Sequence, residues 1–388
     1  MPWSRRSVLT LLGFGIATAC QRRPDAPPPL KIGLLVPLTE AAAATDGEPT
    51  VQAAELAIAH LNAQGGIQVA GQPRSLTMVV RDMTDSPDQA VAAARELVND
   101  PAVVAIVGLP ISHTAIPVAQ FLDTVPLPTL STTSTSPETT ANTRHIFRVA
   151  FVDDFQGLVL AQFARQTLQA TTAAALYDIS SVYNRGLAKT FETAFEELGG
   201  QMVATETYTG DRAADFRPQL QRIKAQAPDV LLLPNYLSDL RLQTEQVRDL
   251  DLEVTLLGGD AWDDFRLEAS RDRYEGAYYT TMWYADRTRK PVVDFLQAYA
   301  ATYDDTPNVN AVLAYDAIYL LAQAIESQGQ TTPEAIRQGL ASLQEFPGVS
   351  GTISYAGTGD PNRTVFVLHI QGGDPTLAQQ ILPTADRP

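Results

Sequence analysis

The 388-residue chain contains little cysteine, little histidine and little positive charge. Its one cysteine, Cys20, excludes a disulfide within the chain and any zinc or iron–sulfur site that requires several thiolates. The four histidines are scattered and offer few ligands for a metal centre. The 28 lysine and arginine residues are outnumbered by 44 aspartate and glutamate residues, and the net charge of −16 repels phosphate backbones. The composition therefore argues against a metal site and against DNA or RNA as a partner.

The sequence also lacks the local motifs of common enzyme classes. No Gly-x-Gly-x-x-Gly follows a predicted strand, and no P-loop, His-Glu-x-x-His or Gly-x-Ser-x-Gly stretch occurs. Ser112 and His113 are adjacent, but neighbouring residues on a helix point about 100° apart, which disfavours a catalytic pair. We therefore predict that the protein is not an enzyme and that it has no cofactor.

The N-terminal segment predicts an export signal. Arg5 and Arg6 form a basic start, and residues 8–19 are a largely apolar run, shorter than the about 20 residues that a membrane-spanning helix needs. Small residues lead into Cys20 in a pattern that resembles a bacterial lipobox. We therefore predict a signal peptide over 1–19 and a lipid on the Cys20 thiol after cleavage.

The stretch over 20–29 is polar and proline-rich, which predicts a semi-rigid tether between the lipid and the folded body. The protein is then expected in the periplasm or at the cell surface of a bacterium, attached to a membrane through its lipid. Two questions stay open: whether Cys20 is instead free in an uncleaved hydrophobic helix, and whether export uses the general secretory or the twin-arginine route.

From residue 30 onwards, strand-like and helix-like segments alternate. The first series has apolar strands predicted at 31–36, 75–80, 102–107 and 127–130, with helices between them. A second series follows over 155–257, and a less regular C-terminal third adds helices and closing strands. This alternation predicts an α/β fold of right-handed parallel βαβ units, and two series of it predict two Rossmann-like lobes. The polar stretch after Gly372 predicts a frayed tail.

Hydroxyl side chains follow two neighbouring strands of the first series. Ser112 lies at the start of a predicted helix shortly after Gly108, and residues 131–136 are all serine or threonine. Ligands of parallel α/β sheets bind beyond the carboxyl ends of strands, and a helix N-terminus suits a carboxylate. Ser112 alone is also compatible with a plain helix cap, and the hydroxyl run alone with a solvated loop. Their joint position favours a ligand site.

Further short motifs occur in a characteristic order along residues 30–370: Ile32-Gly33, Pro37-Leu38-Thr39, Ala59-His60-Leu61-Asn62-Ala63-Gln64-Gly65-Gly66, Ser134-Thr135-Ser136-Pro137, Tyr183-Asn184-Arg185-Gly186 and Ala314-Tyr315-Asp316-Ala317. Their order and spacing resemble the type I periplasmic solute-binding proteins of the branched-chain amino-acid (Leu/Ile/Val) class, which are the receptors of ABC transporters. The resemblance implies two lobes joined by three hinge crossovers, with a ligand in the cleft between them.

The resemblance also implies how the chain is divided. By position, lobe one holds 30–150 and 284–346, and lobe two holds 151–283 and 347–372. The segment over 373–388 is then a flexible tail.

On lobe one, the resemblance implies three ligand contacts. Ser112 matches the serine that binds the ligand α-carboxylate. Thr133 matches a position whose main chain contacts the ligand, and Thr135 matches the threonine whose hydroxyl reaches the α-amino and carboxylate region. These residues supply hydrogen-bond donors to one end of a zwitterion.

On lobe two, the resemblance implies three more contacts. Tyr183 and Tyr236 match aromatic residues that cover the ligand on closure, and Asp260 matches the acid that pairs with its ammonium group. Ordinary packing is the alternative for the two tyrosines, and a helix cap before Trp262 is the alternative for Asp260.

Two residues depart from the family pattern. Asp46 occupies a position near the ligand side chain that is often apolar or aromatic, and His113 stands where small residues are usual. We favour a solvated Asp46, with a polar or basic ligand as the alternative.

The sequence thus predicts a lipid-anchored receptor that binds an amino acid (branched-chain or related) or an amide analogue and delivers it to the membrane subunits of an ABC permease. The alternative is an envelope lipoprotein on the same fold that binds partner proteins and has no transport role.

Overall fold

A computed structural model describes residues 27–39, 42–210, 215–267 and 271–382. The predicted signal peptide over 1–19 and the lipidated Cys20 lie outside the described residues, as does most of the tether. Within the described residues, no helix combines the length and the apolar character needed to cross a membrane.

The first lobe is built on a parallel sheet. Its strands and an adjoining small hairpin are β1 (Leu30–Val36), β2 (Ile67–Val69), β3 (Gln72–Arg74), β4 (Leu76–Asp82), β5 (Val103–Gly108), β6 (Thr129–Ser131) and β7 (Ile146–Arg148). The sheet order is β4-β1-β5-β6-β7, and β2 pairs with β3. The helices are α1 (Glu48–Ala63), α2 (Pro87–Val98) and α3 (Ser112–Thr124). β1 is almost wholly buried, as expected of a parallel strand covered on both faces.

The second lobe repeats this arrangement. Its parallel strands are β8 (Thr172–Asp178), β9 (Gln201–Tyr208), β10 (Val230–Leu232), β11 (Thr255–Gly258) and β12 (Tyr278–Thr281). Its helices are α4 (Asp153–Gln162), α5 (Val182–Glu197), α6 (Arg217–Gln226) and α7 (Leu237–Asp249). The predicted α/β class with two parallel-sheet lobes is confirmed.

The C-terminal third completes both lobes. It comprises α8 (Lys290–Tyr303), α9 (Val309–Gln328), α10 (Pro333–Ala341), β13 (Phe346–Gly348), β14 (Gly351–Tyr355), β15 (Pro361–Arg363), β16 (Val365–Gln371) and β17 (Asp374–Ile381). α9 packs against α1 of the first lobe and against α10. β16 and β17 extend the second sheet as antiparallel strands, in the order β17-β16-β12-β11-β10-β8-β9.

The structure corrects the predicted flexible tail over 373–388. Gly372 and Gly373 both adopt positive φ and form a tight turn, after which β17 pairs with β16 along its length; residues 383–388 lie outside the described part of the chain. Because β17 is a largely exposed edge strand of mixed polar and apolar residues, it lacks the regular apolar alternation that marks a strand in sequence.

The second lobe also begins its last segment later than predicted. Residues 347–363, expected in lobe two, contribute to a small antiparallel sheet of β13, β14 and β15. This sheet contacts lobe one: the Tyr355 hydroxyl donates to the Arg148 carbonyl oxygen, and Asp360 pairs with the Arg148 guanidinium at 2.6 Å. Short irregular strands give no sequence signal for a change of lobe, so the predicted boundary near 347 was wrong.

In the described part of the chain, three crossings connect the lobes, and one buried arginine lies beside one of them and contacts the other two. Arg363 is fully buried and immediately precedes the last crossing at Thr364. Its guanidinium donates to the carbonyl oxygen of Val149 (2.6 Å) in the first crossing and to that of Met282 (2.5 Å) in the second. The side chain therefore satisfies backbone oxygens that have little access to water.

We expect Arg363→Met to lower the free energy of unfolding by about 3 kcal/mol, because it leaves buried carbonyl oxygens without donors. Chemical denaturation measures this change. The matched control is Arg287→Met, since Arg287 is exposed and its loss should stay within about 0.5 kcal/mol. Equal effects of the two substitutions would contradict the role assigned to Arg363.

Candidate functional site

A sharp turn after β5 positions Ser112. Gly108 has a φ of +132°, and a Cβ at this position would lie 2.1 Å from the Leu35 carbonyl oxygen, so only glycine fits. Leu109 also has a positive φ of 55°. The helix cap is Ile111, so the plain-cap interpretation of Ser112 is wrong. Ser112 is instead the first residue of α3, where backbone N–H groups lack partners within the helix.

The hydroxyl run after β6 is buried, so the solvated-loop interpretation is also wrong: each of residues 131–136 is at most 9% exposed. Ser134 Oγ lies 3.0 Å from Ser112 Oγ, which joins the two loops. The Thr133 hydroxyl donates to Asn310 Oδ1 at 2.7 Å, which connects the run to the start of α9. The loops that follow two neighbouring strands therefore form one polar wall.

Arg148 supports this wall from behind. Its fully buried guanidinium donates to the Ser134 carbonyl oxygen at 3.0 Å and pairs with Asp360 at 2.6 Å. The sequence analysis did not assign Arg148 a role. Its position at the end of β7 holds the backbone of the hydroxyl run in place.

The opposite wall comes from the second lobe. Asp260 follows β11, and its Oδ1 accepts hydrogen bonds from the Tyr183 hydroxyl at 2.9 Å and from Gln156 Nε2 at 2.7 Å. The ring of Tyr183 lies 5.2 Å from that of Tyr236, which precedes α7. A Cβ at Gly259 would come within 2.4 Å of the Tyr183 oxygen, so the glycine allows the tyrosine to approach Asp260.

All six predicted site residues line one cavity between the lobes: Ser112, Thr133, Thr135, Tyr183, Tyr236 and Asp260. The cavity measures about 40 Å³, room for about three water molecules. The geometry thus brings together every residue named for binding, and their roles towards a ligand stay a prediction.

A second, larger cavity of about 350 Å³ adjoins the first on its outer side. Both cavities are lined by Asp46, Ile111, Tyr236 and Asp264. His113 lines only the outer cavity, where its imidazole lies 2.9 Å from an oxygen of Asp85. A molecule in the inner cavity that exceeds its volume therefore extends past Asp46 and Asp264.

The structure adds acids that the sequence analysis missed or placed differently. Asp46, for which a solvated side chain was favoured, is half-buried and lines both the inner and the outer cavity. Asp264 was not predicted at all, because nothing distinguishes it among 44 acidic residues. Asn310 was missed for a similar reason, since it reaches the cavity from a helix distant in sequence.

Burial shifts the pKa values of these acids. Burial raises the pKa of Asp260 from its ordinary value to about 6, although hydrogen bonds from Gln156 and Tyr183 oppose the shift. Burial likewise raises the pKa of Asp46 to about 6, against a hydrogen bond from Thr45. Burial first, and then the charge of Asp46, raise the pKa of Asp264 well above its usual range.

These carboxylates have no cationic neighbour among the residues that the structure describes. No lysine, arginine or histidine nitrogen there lies within 4.0 Å of Asp46, Asp260 or Asp264. Nor do the described side chains include a group of three His, Cys, Asp or Glu residues arranged to hold a metal ion. The carboxylate oxygens that line the cavity are hydrogen-bond acceptors, so the cavity is suited to a ligand with hydrogen-bond donors or positive charge.

Comparisons with known proteins agree with this geometry. Residues 29–374 match a family model described as "Periplasmic binding protein". The chain is 28% identical over 344 residues to the Leu/Ile/Val-binding protein BraC3 of Rhizobium johnstonii, covering 88% of this chain and 91% of that protein. It is 26% identical over 356 residues to the leucine-, isoleucine-, valine-, threonine- and alanine-binding protein of Pseudomonas aeruginosa, covering 90% and 92%.

A solved structure shows the same likeness in three dimensions. The branched-chain amino acid transporter substrate-binding protein LivJ of Streptococcus pneumoniae, in complex with isoleucine, superposes with a TM-score of 0.83. The identity is 26%, and the match covers 92% of this chain and 100% of that one.

The raised pKa of Asp260 predicts a pH-dependent stability of the ligand-free protein. A carboxyl whose folded-state pKa is raised stabilises the fold below its unfolded value of about 4, and this contribution is lost as the pH rises through about 6. The Asp260→Asn variant has no titrating carboxyl at this position, so it does not lose stability in this way as the pH rises. Relative to the wild type, its free energy of unfolding should therefore rise by about 3 kcal/mol between about pH 4 and pH 7.

Urea denaturation across this pH range tests the expectation. Asp88→Asn is the control, because Asp88 is exposed on α2 and its loss should leave the pH profile unchanged. A constant difference between the Asp260→Asn variant and the wild type would contradict a raised pKa for Asp260.

Proposed function

Because this chain belongs to the periplasmic binding protein family, we propose that it is the substrate-binding component of an ABC importer and holds an amino acid or amide analogue between its lobes. The predicted resemblance to the branched-chain amino-acid class, and the type I fold with it, are confirmed by the matched family model and by relatives named for leucine, isoleucine and valine binding. Those relatives are binding proteins, which agrees with a function without catalysis.

One observation supports an amino acid as the ligand. A single cavity has hydroxyls and a helix N-terminus on one wall and a buried carboxylate on the other. Ser112, Thr135 and the N–H groups that begin α3 suit the α-carboxylate, because donors and the positive end of a helix dipole stabilise an anion. Asp260 suits the ammonium group. Charge-assisted hydrogen bonds of this kind are shorter and stronger than neutral ones.

The position of the two walls on different lobes couples binding to closure. Ser112 and Thr135 belong to the first lobe, and Asp260, Tyr183 and Tyr236 to the second. A ligand contacts both sets only when the lobes close, so its differential affinity favours the closed state. The crossings that Arg363 contacts are the segments about which the lobes rotate in this proposal.

Localisation follows from the N-terminal sequence. A signal peptide over 1–19 and a lipid on Cys20 would leave the binding lobes outside the cytoplasmic membrane, beside the permease subunits that receive the ligand. The family's periplasmic character supports export. No contact in the cleft favours the alternative of a partner-binding envelope lipoprotein, which has no need of a carboxylate facing a wall of hydroxyls.

Isothermal titration calorimetry with the twenty amino acids and common amides should find at least one ligand with micromolar or better affinity. Asp260→Ala should weaken that binding by about 2–5 kcal/mol, because it leaves the ligand's ammonium group buried without a counter-charge. Asp88→Ala, at an exposed site on α2, should bind as the wild type does. If no compound of the panel binds measurably, the result would contradict the proposed function and favour the partner-binding alternative.

Lipid attachment is tested with Cys20→Ser in cells. We expect the wild type to fractionate with membranes and to incorporate labelled palmitate, and the variant to lose the label. The variant should also leave the membrane fraction if its signal peptide is removed, which mass spectrometry of the N-terminus verifies. Palmitate incorporation into the variant would show that Cys20 is not the site of lipidation.

A further inference from the structure

Two acids at the boundary between the inner and outer cavities indicate the class of ligand. Asp46 lies on the first lobe just before α1, and Asp264 lies on the second lobe after β11. Each lines both cavities. The two acids thus reach the same boundary from opposite lobes.

The lining of the inner cavity indicates where the two ends of an amino acid lie. In the proposed function, Asp260 and the hydroxyl wall bind the head group, and Asp46 and Asp264 line the same cavity where it opens into the outer one. Asp260 is more than nine-tenths buried, and its Oδ1 accepts both of its side-chain hydrogen bonds. Its carboxylate also lines the inner cavity. The ligand side chain then passes between Asp46 and Asp264 into the outer cavity.

The present partners of these two acids are all neutral. Asp46 Oδ2 accepts a hydrogen bond from the Thr45 hydroxyl at 2.5 Å. Asp264 Oδ1 accepts a long one of 3.5 Å from Asn308, whose amide also donates to the Thr45 carbonyl oxygen. Arg241 also lines the outer cavity. The hydrogen bonds that the two carboxylates accept from Thr45 and Asn308 come from neutral groups.

The charge of the two acids argues against a neutral zwitterion as the best ligand. The ammonium group of such a ligand pairs with Asp260 and its carboxylate with the hydroxyl wall, which leaves Asp46 and Asp264 without a positive partner on the ligand. An ionised carboxylate at this boundary is then partly desolvated without a counter-charge. A positive group on the ligand side chain supplies the missing charge.

We propose that the ligand is an α-amino acid whose side chain ends in a cation, an ammonium or guanidinium group, and that Asp46 and Asp264 bind this cation from opposite lobes. The proposal rests on the proposed function, since it deepens the assignment of the same cleft. The hydroxyl wall and the start of α3 favour a ligand with a carboxylate over a polyamine. Asp46 and Asp264 then repel each other in the empty closed cleft and are joined through the ligand.

Matched ligand pairs test the side-chain charge on the wild-type protein. L-lysine with L-norleucine, and L-arginine with L-citrulline, differ mainly in a terminal positive charge. Titration calorimetry at about pH 7.5 should show that at least one cationic member binds about tenfold or more tightly than its neutral partner. L-leucine and L-isoleucine should bind more weakly than that cationic ligand.

Substitutions of the two acids test the assigned contacts. Asp46→Asn and Asp264→Asn preserve shape, and each should weaken binding of the cationic ligand about tenfold or more without weakening binding of its neutral partner. Asp88→Asn removes one exposed negative charge from the same lobe as Asp46 and should change neither affinity.

The outcomes separate this inference from the function on which it rests. If leucine, isoleucine or another neutral amino acid binds as tightly as the cationic ligands, the inference is wrong and the proposed function stands. The inference is also wrong if Asp46→Asn and Asp264→Asn weaken neutral and cationic ligands alike. If none of these compounds binds the wild type, the proposed function itself fails.

Discussion

The cleft depends on the free-energy cost of burying carboxylates without cations beside them. Burial is the largest influence on the pKa values of Asp46, Asp260 and Asp264. The donors that contact Asp260, Tyr183 and Gln156, orient it but bring no positive charge. In a closed cleft without a ligand, the desolvation of these carboxylates raises the free energy of the protein. A positively charged ligand offsets that increase by pairing with them. Under the proposed function, ligand binding and lobe closure are thereby coupled through electrostatics as well as through contact area.

Much of the fold could be predicted because parallel strands and their helices have strong local signals. Apolar strands buried on both faces, such as β1, give continuous hydrophobic runs in the sequence. The signal fails where a strand is stabilised mainly by its neighbours. β17 and the small sheet of β13, β14 and β15 are short or polar, and only their pairing partners define them as strands.

The candidate site likewise contains residues that could be predicted from the sequence and residues that could not. The position of Ser112, Thr133 and Thr135 at the cavity could be predicted, because ligands of parallel sheets bind beyond the carboxyl ends of strands and these residues follow two such strands. Asp260 depended on a resemblance to a known family. Asp264 and Asn310 could not be found, since only the packing of two lobes and a distant helix brings them to the cavity. Long-range proximity leaves no pattern in a single sequence.

The strand β17 has a consequence for the integrity of the second sheet. β16 is mostly buried and apolar, and without β17 its backbone N–H and C=O groups would form an open edge. Such an edge is a template for pairing with another chain, and β17 covers it with a strand that is more exposed and more polar than β16. A purification tag fused after residue 382 would leave this cover intact, but a truncation at Gly373 would expose β16 and favour self-association into aggregates.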